Sequence, residues 1–196
     1  MTRIRGFIIS SGGLAWLTGI VILETTYEKS DDSLPYSFLL LALLAGLSVA
    51  WGLWSVARSL DRRTARVGSR LVGLSAGLLG VGFGLDLLPG DTWLAFLLAY
   101  SVGLFVLPVA FLVLGLGVRR SVVFPLWAKW VPLAVTAAGA ITYGFHALAR
   151  EVWDPSDAVW YSCIGVGWFL LGLASLGIPY RMPDQAGARP LRVVAP

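Results

Sequence analysis

Six long apolar stretches divide the chain, and the charges between them separate by sign onto alternate sides. Number the gaps in order and group the N-terminus with the even ones. That group then holds Arg3, Arg5, Arg58, Arg62, Arg63, Arg66, Arg70, Arg119, Arg120, Lys129, Arg181, Arg189 and Arg192, which is 13 of the 15 basic residues. Only two acids, Asp61 and Asp184, fall there. The odd gaps hold the other nine acids, Glu24, Glu28, Asp31, Asp32, Asp86, Asp91, Glu151, Asp154 and Asp157, beside Lys29 and Arg150. Lys and Arg gather in cytoplasmic loops of polytopic membrane proteins, and short loops obey this most closely. The sequence therefore specifies an all-α, polytopic membrane helix bundle of six transmembrane helices. They are expected as three antiparallel hairpins in the cell membrane, with both termini in the cytoplasm.

Composition agrees. At 57% hydrophobic and 13% charged residues, with mean hydropathy +0.79, the 196-residue chain lies far from soluble globular proteins. Six spans of about 20 residues use about 120 residues. What remains suffices for short connections and a tail, so residues 1–179 are read as one membrane domain and 180–196 as a disordered cytoplasmic tail. A pI near 9.6 can signal nucleic acid, but here the basic residues sit beside spans, where they set orientation and meet anionic headgroups. The expected partners are the lipid bilayer and another membrane protein or a second copy of the chain, with no nucleic acid. Thirteen arginines against two lysines fit a high-GC prokaryotic genome.

The spans are expected at about 7–23, 37–56, 71–88, 92–117, 125–148 and 159–178. The first follows Arg3 and Arg5 but is long for a signal-peptide core and lacks a small-x-small cleavage site, so it reads as a retained span. Pro89-Gly90 is a turn dipeptide that ends the third span. Trp54, Trp93, Trp127, Trp130, Trp153 and Trp160 fall near span ends, where an indole keeps its ring apolar and its N–H wet. Trp16 and Trp168 fall near mid-span and read as packing or lipid contacts. Asp32-x-x-x-Tyr36-Ser37 recurs as Asp157-x-x-x-Tyr161-Ser162, each opening an even-numbered span. Duplication would produce that, and so would ordinary capping of helix N-termini by aspartate.

Gly73, Gly77, Gly80 and Gly84 repeat at a 4-3-4 spacing that lines one helix face of the third span. Small residues so spaced let two backbones approach closely, which is how helices associate where lipid removes the hydrophobic drive. Ala45, Ser48, Gly52 and Ser55 form a small face on the second span, and Thr136, Ala140 and Gly144 one on the fifth. Spans two, three and five are accordingly expected as the core helices. Pro108 in the fourth span removes a backbone donor and should kink the helix, serving as a tolerated bend or as a hinge.

Little chemistry is on offer. Ionisable residues deep in a membrane mark ion paths and proton relays, yet the second, fourth and sixth spans carry none in their interiors. The candidates are Glu24, Asp86 and His146 at the outer ends of the odd spans, with Glu151 and Asp154 close by in the last outer loop. Two carboxylates and an imidazole brought together can bind a divalent metal or run acid–base chemistry. The plainer reading, and the favoured one, is that they are solvated span ends. His146 and Cys163 are the sole residues of their types, which excludes a multi-histidine zinc or haem site, a disulfide within the chain and a multi-cysteine cluster. No cofactor and no metal is assigned. Gly73-Leu74-Ser75-Ala76-Gly77 has the G-x-S-x-G spelling of a nucleophile elbow, but that motif needs a strand-to-helix turn. Ser75 also lies toward the cytoplasmic side of its span while His146 lies at the outer end of another, so no serine–histidine pair forms.

Three functions are ranked on these grounds. A non-catalytic multispan module (a subunit, scaffold or regulator) comes first, on the small-residue faces and the absence of buried charge. A small carrier for a neutral or lipophilic solute is second. An enzyme acting on a lipid or isoprenoid from the outer leaflet, through Glu24, Asp86 and His146, is third.

Overall fold

The computed structural model describes residues 2–26, 34–88, 90, 92–148 and 157–178, the side chains of 2, 142–148 and 157–158 excepted. Six helices make up the fold: α1 (Thr2–Thr26), α2 (Tyr36–Ala57), α3 (Arg63–Leu85), α4 (Trp93–Arg119), α5 (Val131–Leu148) and α6 (Asp157–Ser175), with a 3-10 turn at Leu126–Lys129. There is no strand among the described residues. Helices α1 to α4 are each long and apolar enough to cross a membrane, and the apolar stretches Leu126–Ile141 and Val159–Ser175 are shorter. The tail expected at 180–196 lies outside the described residues, as do most of the acidic connections.

Several boundaries move, for local reasons. α3 begins at Arg63, well before the apolar run, because arginine is a good helix former and the basic segment simply continues the helix outward. The fifth span starts late: Pro125 precedes a separate 3-10 turn, and α5 begins only at Val131. Pro132 then occupies the first turn of α5, where its missing N–H costs no helical bond. α4 runs unbroken through Pro108. Gly90 takes φ +119°, the left-handed conformation that suits glycine in the tight link between α3 and α4.

The helices pack in a ring that follows chain order, and α6 returns to close it against α1. Packing is most extensive between α3 and α4, α2 and α3, and α1 and α6; among the described residues α5 makes the thinnest contacts. The core helices are therefore α1 to α4 and α6, with α5 peripheral, contrary to the expectation of spans two, three and five. Each strong seam is built on close backbone approach. Gly73, Gly77, Gly80 and Gly84 all face α2: a Cβ on each would lie 3.1 Å from Ala50 O, 3.3 Å from Ala50 Cβ, 3.0 Å from Gly46 Cα and 2.9 Å from Leu43 Cδ1 respectively. The small face of α2 read from the sequence turns elsewhere, since Ala45, Ser48 and Gly52 meet Gly12, Ile9 and Arg5 of α1.

The seam between α1 and α6 went unread in the sequence. A Cβ on Gly6 would lie 2.7 Å from Gly172 O, and one on Gly13 would lie 2.5 Å from Phe169 N and 2.8 Å from Gly165 O. Ser10, between them, donates its hydroxyl to Phe169 O at 3.3 Å. The opposite face of α3 meets α4 as closely, with Gly68 against the backbone of Leu114 and Gly117 against that of Ala65. Inside the ring, large side chains fill the space: Trp16, Trp168, Phe111, Leu79, Leu107, Leu114 and Leu171 are essentially inaccessible.

Candidate functional site

The carboxylates proposed from the sequence lie where helix ends meet their surroundings. Glu24 is exposed in the last turns of α1, and Asp86 is exposed at the C-cap of α3, its N–H donating to Gly84 O. His146 belongs to α5, but its side chain, like Glu151 and Asp154, lies outside the described residues. Among the described residues no three His, Cys, Asp or Glu side chains gather closely enough to hold a metal ion.

That end of the bundle does assemble a chain of aromatic rings. Phe83, near the end of α3, sits edge-on to Phe38 of α2 (5.1 Å between centroids), to Tyr100 of α4 (5.6 Å) and to Trp16 of α1 (5.9 Å). Trp16 stands edge-on to Trp168 at 5.1 Å and to Tyr161 at 6.2 Å, both on α6. Phe96 stacks on Tyr100 at 5.5 Å. These edge-to-face arrangements place positive ring edges on negative ring faces, which adds about 0.5–1.5 kcal/mol per pair beyond area burial. Two hydrogen bonds thread the cluster. Trp16 Nε1 donates to Tyr161 O at 2.9 Å, and the hydroxyls of Tyr100 and Tyr161 bond to each other. Trp168 Nε1, also buried, has no acceptor among the described residues. The cluster joins α1, α2, α3, α4 and α6, so it closes the middle of the ring rather than lining an opening.

Two sequence readings change here. Trp160, expected at an interface with a wet N–H, is 2% exposed, its ring lying over Gly139 of α5. Tyr36 and Tyr161, equated by the apparent repeat, have opposite environments: Tyr36 is 76% exposed and Tyr161 only 9%. Ser75, the centre of the G-x-S-x-G spelling, is buried against α4 and donates to Leu71 O at 2.9 Å within its own helix.

At the arginine-rich end, Asp61 explains its presence on the basic side. Its Oδ1 accepts the Ser121 hydroxyl at 2.6 Å, and Arg62 Nε lies 3.7 Å from Oδ2 and 3.4 Å from Arg120 O. The connection after α2 is thereby clasped to the connection after α4. Burial works to raise the Asp61 pKa, but the Ser121 hydroxyl, the N–H groups of Asp61 and Val122 and the Arg62 charge outweigh it and hold the carboxyl below its ordinary 3.8. Cavities on the outer flanks of the bundle include one of about 680 Å³ between α2 and α3, and one of about 610 Å³ between α5 and α6, lined mainly by valines, alanines and Cys163.

Compared with models of protein families, with curated proteins and with solved structures, the chain matches none. The sequence signal that would have exposed the α1–α6 seam was present as Gly6, Ser10 and Gly13, a small-residue face like that of α3. The Tyr100–Tyr161 pair carried no such signal, because two tyrosines 61 positions apart share no spacing rule.

Proposed function

We propose that the chain is a non-catalytic membrane module, a subunit, scaffold or regulator, whose six spans form three antiparallel hairpins in the cell membrane with both termini in the cytoplasm. Residues 1–179 act as one membrane domain. The observation that carries this reading is the filled interior. Trp16, Trp168, Phe111 and Leu107 occupy the middle of the ring, and among the described residues the buried polar side chains are serines, tyrosine and indoles, with no charged group. A carrier needs a polar or open route across the bilayer, and charged side chains usually mark one. Glu24 and Asp86 are exposed at helix ends, which suits solvated span termini better than an enclosed acid–base site.

Copurification tests the module directly. Extracted in mild detergent, the tagged full chain should bring a stoichiometric membrane partner or a second copy of itself; a stable lone monomer that transports or converts a solute would overturn the reading. Orientation is checked separately by reporter fusions, with the Arg62 turn expected in the cytoplasm and the Asp31 turn outside. Placement of both in one compartment would end the six-span topology.

A further inference from the structure

The 680 Å³ groove between α2 and α3 has the size of a ligand cleft, which typically spans about 300–1,000 Å³. Its α2 wall runs from Leu47 to Arg58. At 1.5 Å rise per residue that is about 16 Å, the depth of one leaflet of a hydrocarbon core about 30 Å thick. The lining changes character along this length. Leu47, Leu78 and Val81 make an aliphatic upper part, Trp51 and Trp54 follow with half-exposed rings, and Arg5 and Arg58 close the lower end. The Arg5 guanidinium is positioned there by donating to Ser55 O at 3.2 Å, and Arg70 lies over the Trp54 ring, 5.4 Å from its centroid. Asp61, the nearby acid, is engaged by Ser121 and Arg62, and no carboxylate among the described residues pairs with Arg58 or Arg70.

We propose that this groove binds one anionic phospholipid from the leaflet at the arginine-rich end. The headgroup phosphate sits between Arg5 and Arg58, the two tryptophans hold the glycerol level, and an acyl chain runs upward over Gly73 and Gly77. Guanidinium groups bind phosphate oxygens through charge-assisted hydrogen bonds, and tryptophan prefers the level between headgroup and chain. A second copy of the chain is a poor occupant. Lying in the same membrane with the same orientation, it would bring its own arginines level with these and oppose like charges. The inference rests on the chain spanning a bilayer, and holds whether the protein works as a module, a carrier or an enzyme.

Native mass spectrometry of the full chain, released from micelles containing equal phosphatidylglycerol and phosphatidylcholine, reads the site. One phosphatidylglycerol should be retained per chain in preference to phosphatidylcholine. Arg58→Gln should lower that retention about tenfold, the loss expected for one charge-assisted bond, and Leu74→Trp, which fills the groove from an exposed wall, should lower it as much. Arg66→Gln removes the same charge from the same end but outside the groove, and should leave retention unchanged. Equal loss in Arg66→Gln would reduce the effect to general surface charge and overturn the proposal. Loss with Arg58→Gln alone would mean a free-anion site without a lipid tail, and would overturn it too. So would dimers of the delipidated chain cross-linked through Trp54→Cys. All variants should elute as the wild type does, which separates lost binding from lost folding.

Discussion

Replacing Gly13 by alanine inserts a single methyl group into a close backbone approach of the α1–α6 seam. The new Cβ would stand 2.5 Å from Phe169 N and 2.8 Å from Gly165 O, both backbone atoms that no rotamer change can withdraw. Reaching even the lower edge of ordinary contact, 3.4 Å, requires the helices to part by about 0.9 Å (3.4 minus 2.5). A gap of that size forfeits roughly a quarter to a half of the dispersion attraction across it. Gly6 and Ser10, which meet Gly172 and Phe169, lie within two turns and share the loss. Overpacking costs about 1–3 kcal/mol, and a backbone obstruction belongs at the upper end. Alanine returns about 1 kcal/mol of helix propensity, so the expected net destabilisation is about 2 kcal/mol. Gly77→Ala is the matched control, because its Cβ would meet only the Ala50 methyl at 3.3 Å; it should stay within about 1 kcal/mol of wild type, on the stable side if Ala50 yields. Unfolding by SDS titration in mild detergent, followed by tryptophan fluorescence, measures both, since Trp16 and Trp168 flank the seam. A Gly13→Ala protein as stable as wild type, or a Gly77→Ala protein equally weakened, would refute close backbone approach as the basis of ring closure.

Two further outcomes follow from the polar contacts. Asp61→Asn should cost about 1 kcal/mol by trading a charge-assisted bond to Ser121 for a neutral one. Because the folded Asp61 pKa lies below 3.8, the unfolded chain takes up the proton first as pH falls. The Asp61 contribution is therefore complete above about pH 5 and disappears as pH drops through the depressed value. The difference in melting temperature between wild type and Asp61→Asn should shrink over that acid window, and a difference that stays constant to the acid limit would remove Asp61 from the clasp. Tyr100→Phe and Tyr161→Phe should each cost about 1 kcal/mol, and the double variant little more than either, since one hydroxyl pair is lost in all three. Strict additivity would show that the hydroxyls do not act on each other.

What the sequence made legible was set by one-dimensional physics. A helix able to satisfy its backbone in lipid announces itself by length and apolarity. That is why four helices long and apolar enough to cross a membrane overlap the first four apolar stretches, although α3 starts well ahead of its own. Boundaries slipped where polar sequence kept helical propensity, as at Arg63–Arg70, or where paired prolines cut a helix short, as at Pro125 and Pro132.

Partner choice is a two-body property, and a face alone does not reveal it. The glycine stripe of α3 is readable as a stripe, yet Gly6, Ser10 and Gly13 of α1 make an equivalent one, and nothing in either spacing says that the first meets α2 and the second meets α6. The same limit governs the site. Glu24, Asp86 and His146 fall at or near the C-terminal ends of α1, α3 and α5, but position along a helix leaves direction around its axis open. Direction is settled by packing. Tyr161 turns inward, where its hydroxyl meets that of Tyr100, while Tyr36, at the matching place in an apparent repeat, is exposed. Asp61 is the instructive exception, since its misfit with the charge pattern was visible from the start. Asp61 is one of two acids grouped with 13 basic residues, and the Ser121 hydroxyl at 2.6 Å holds it.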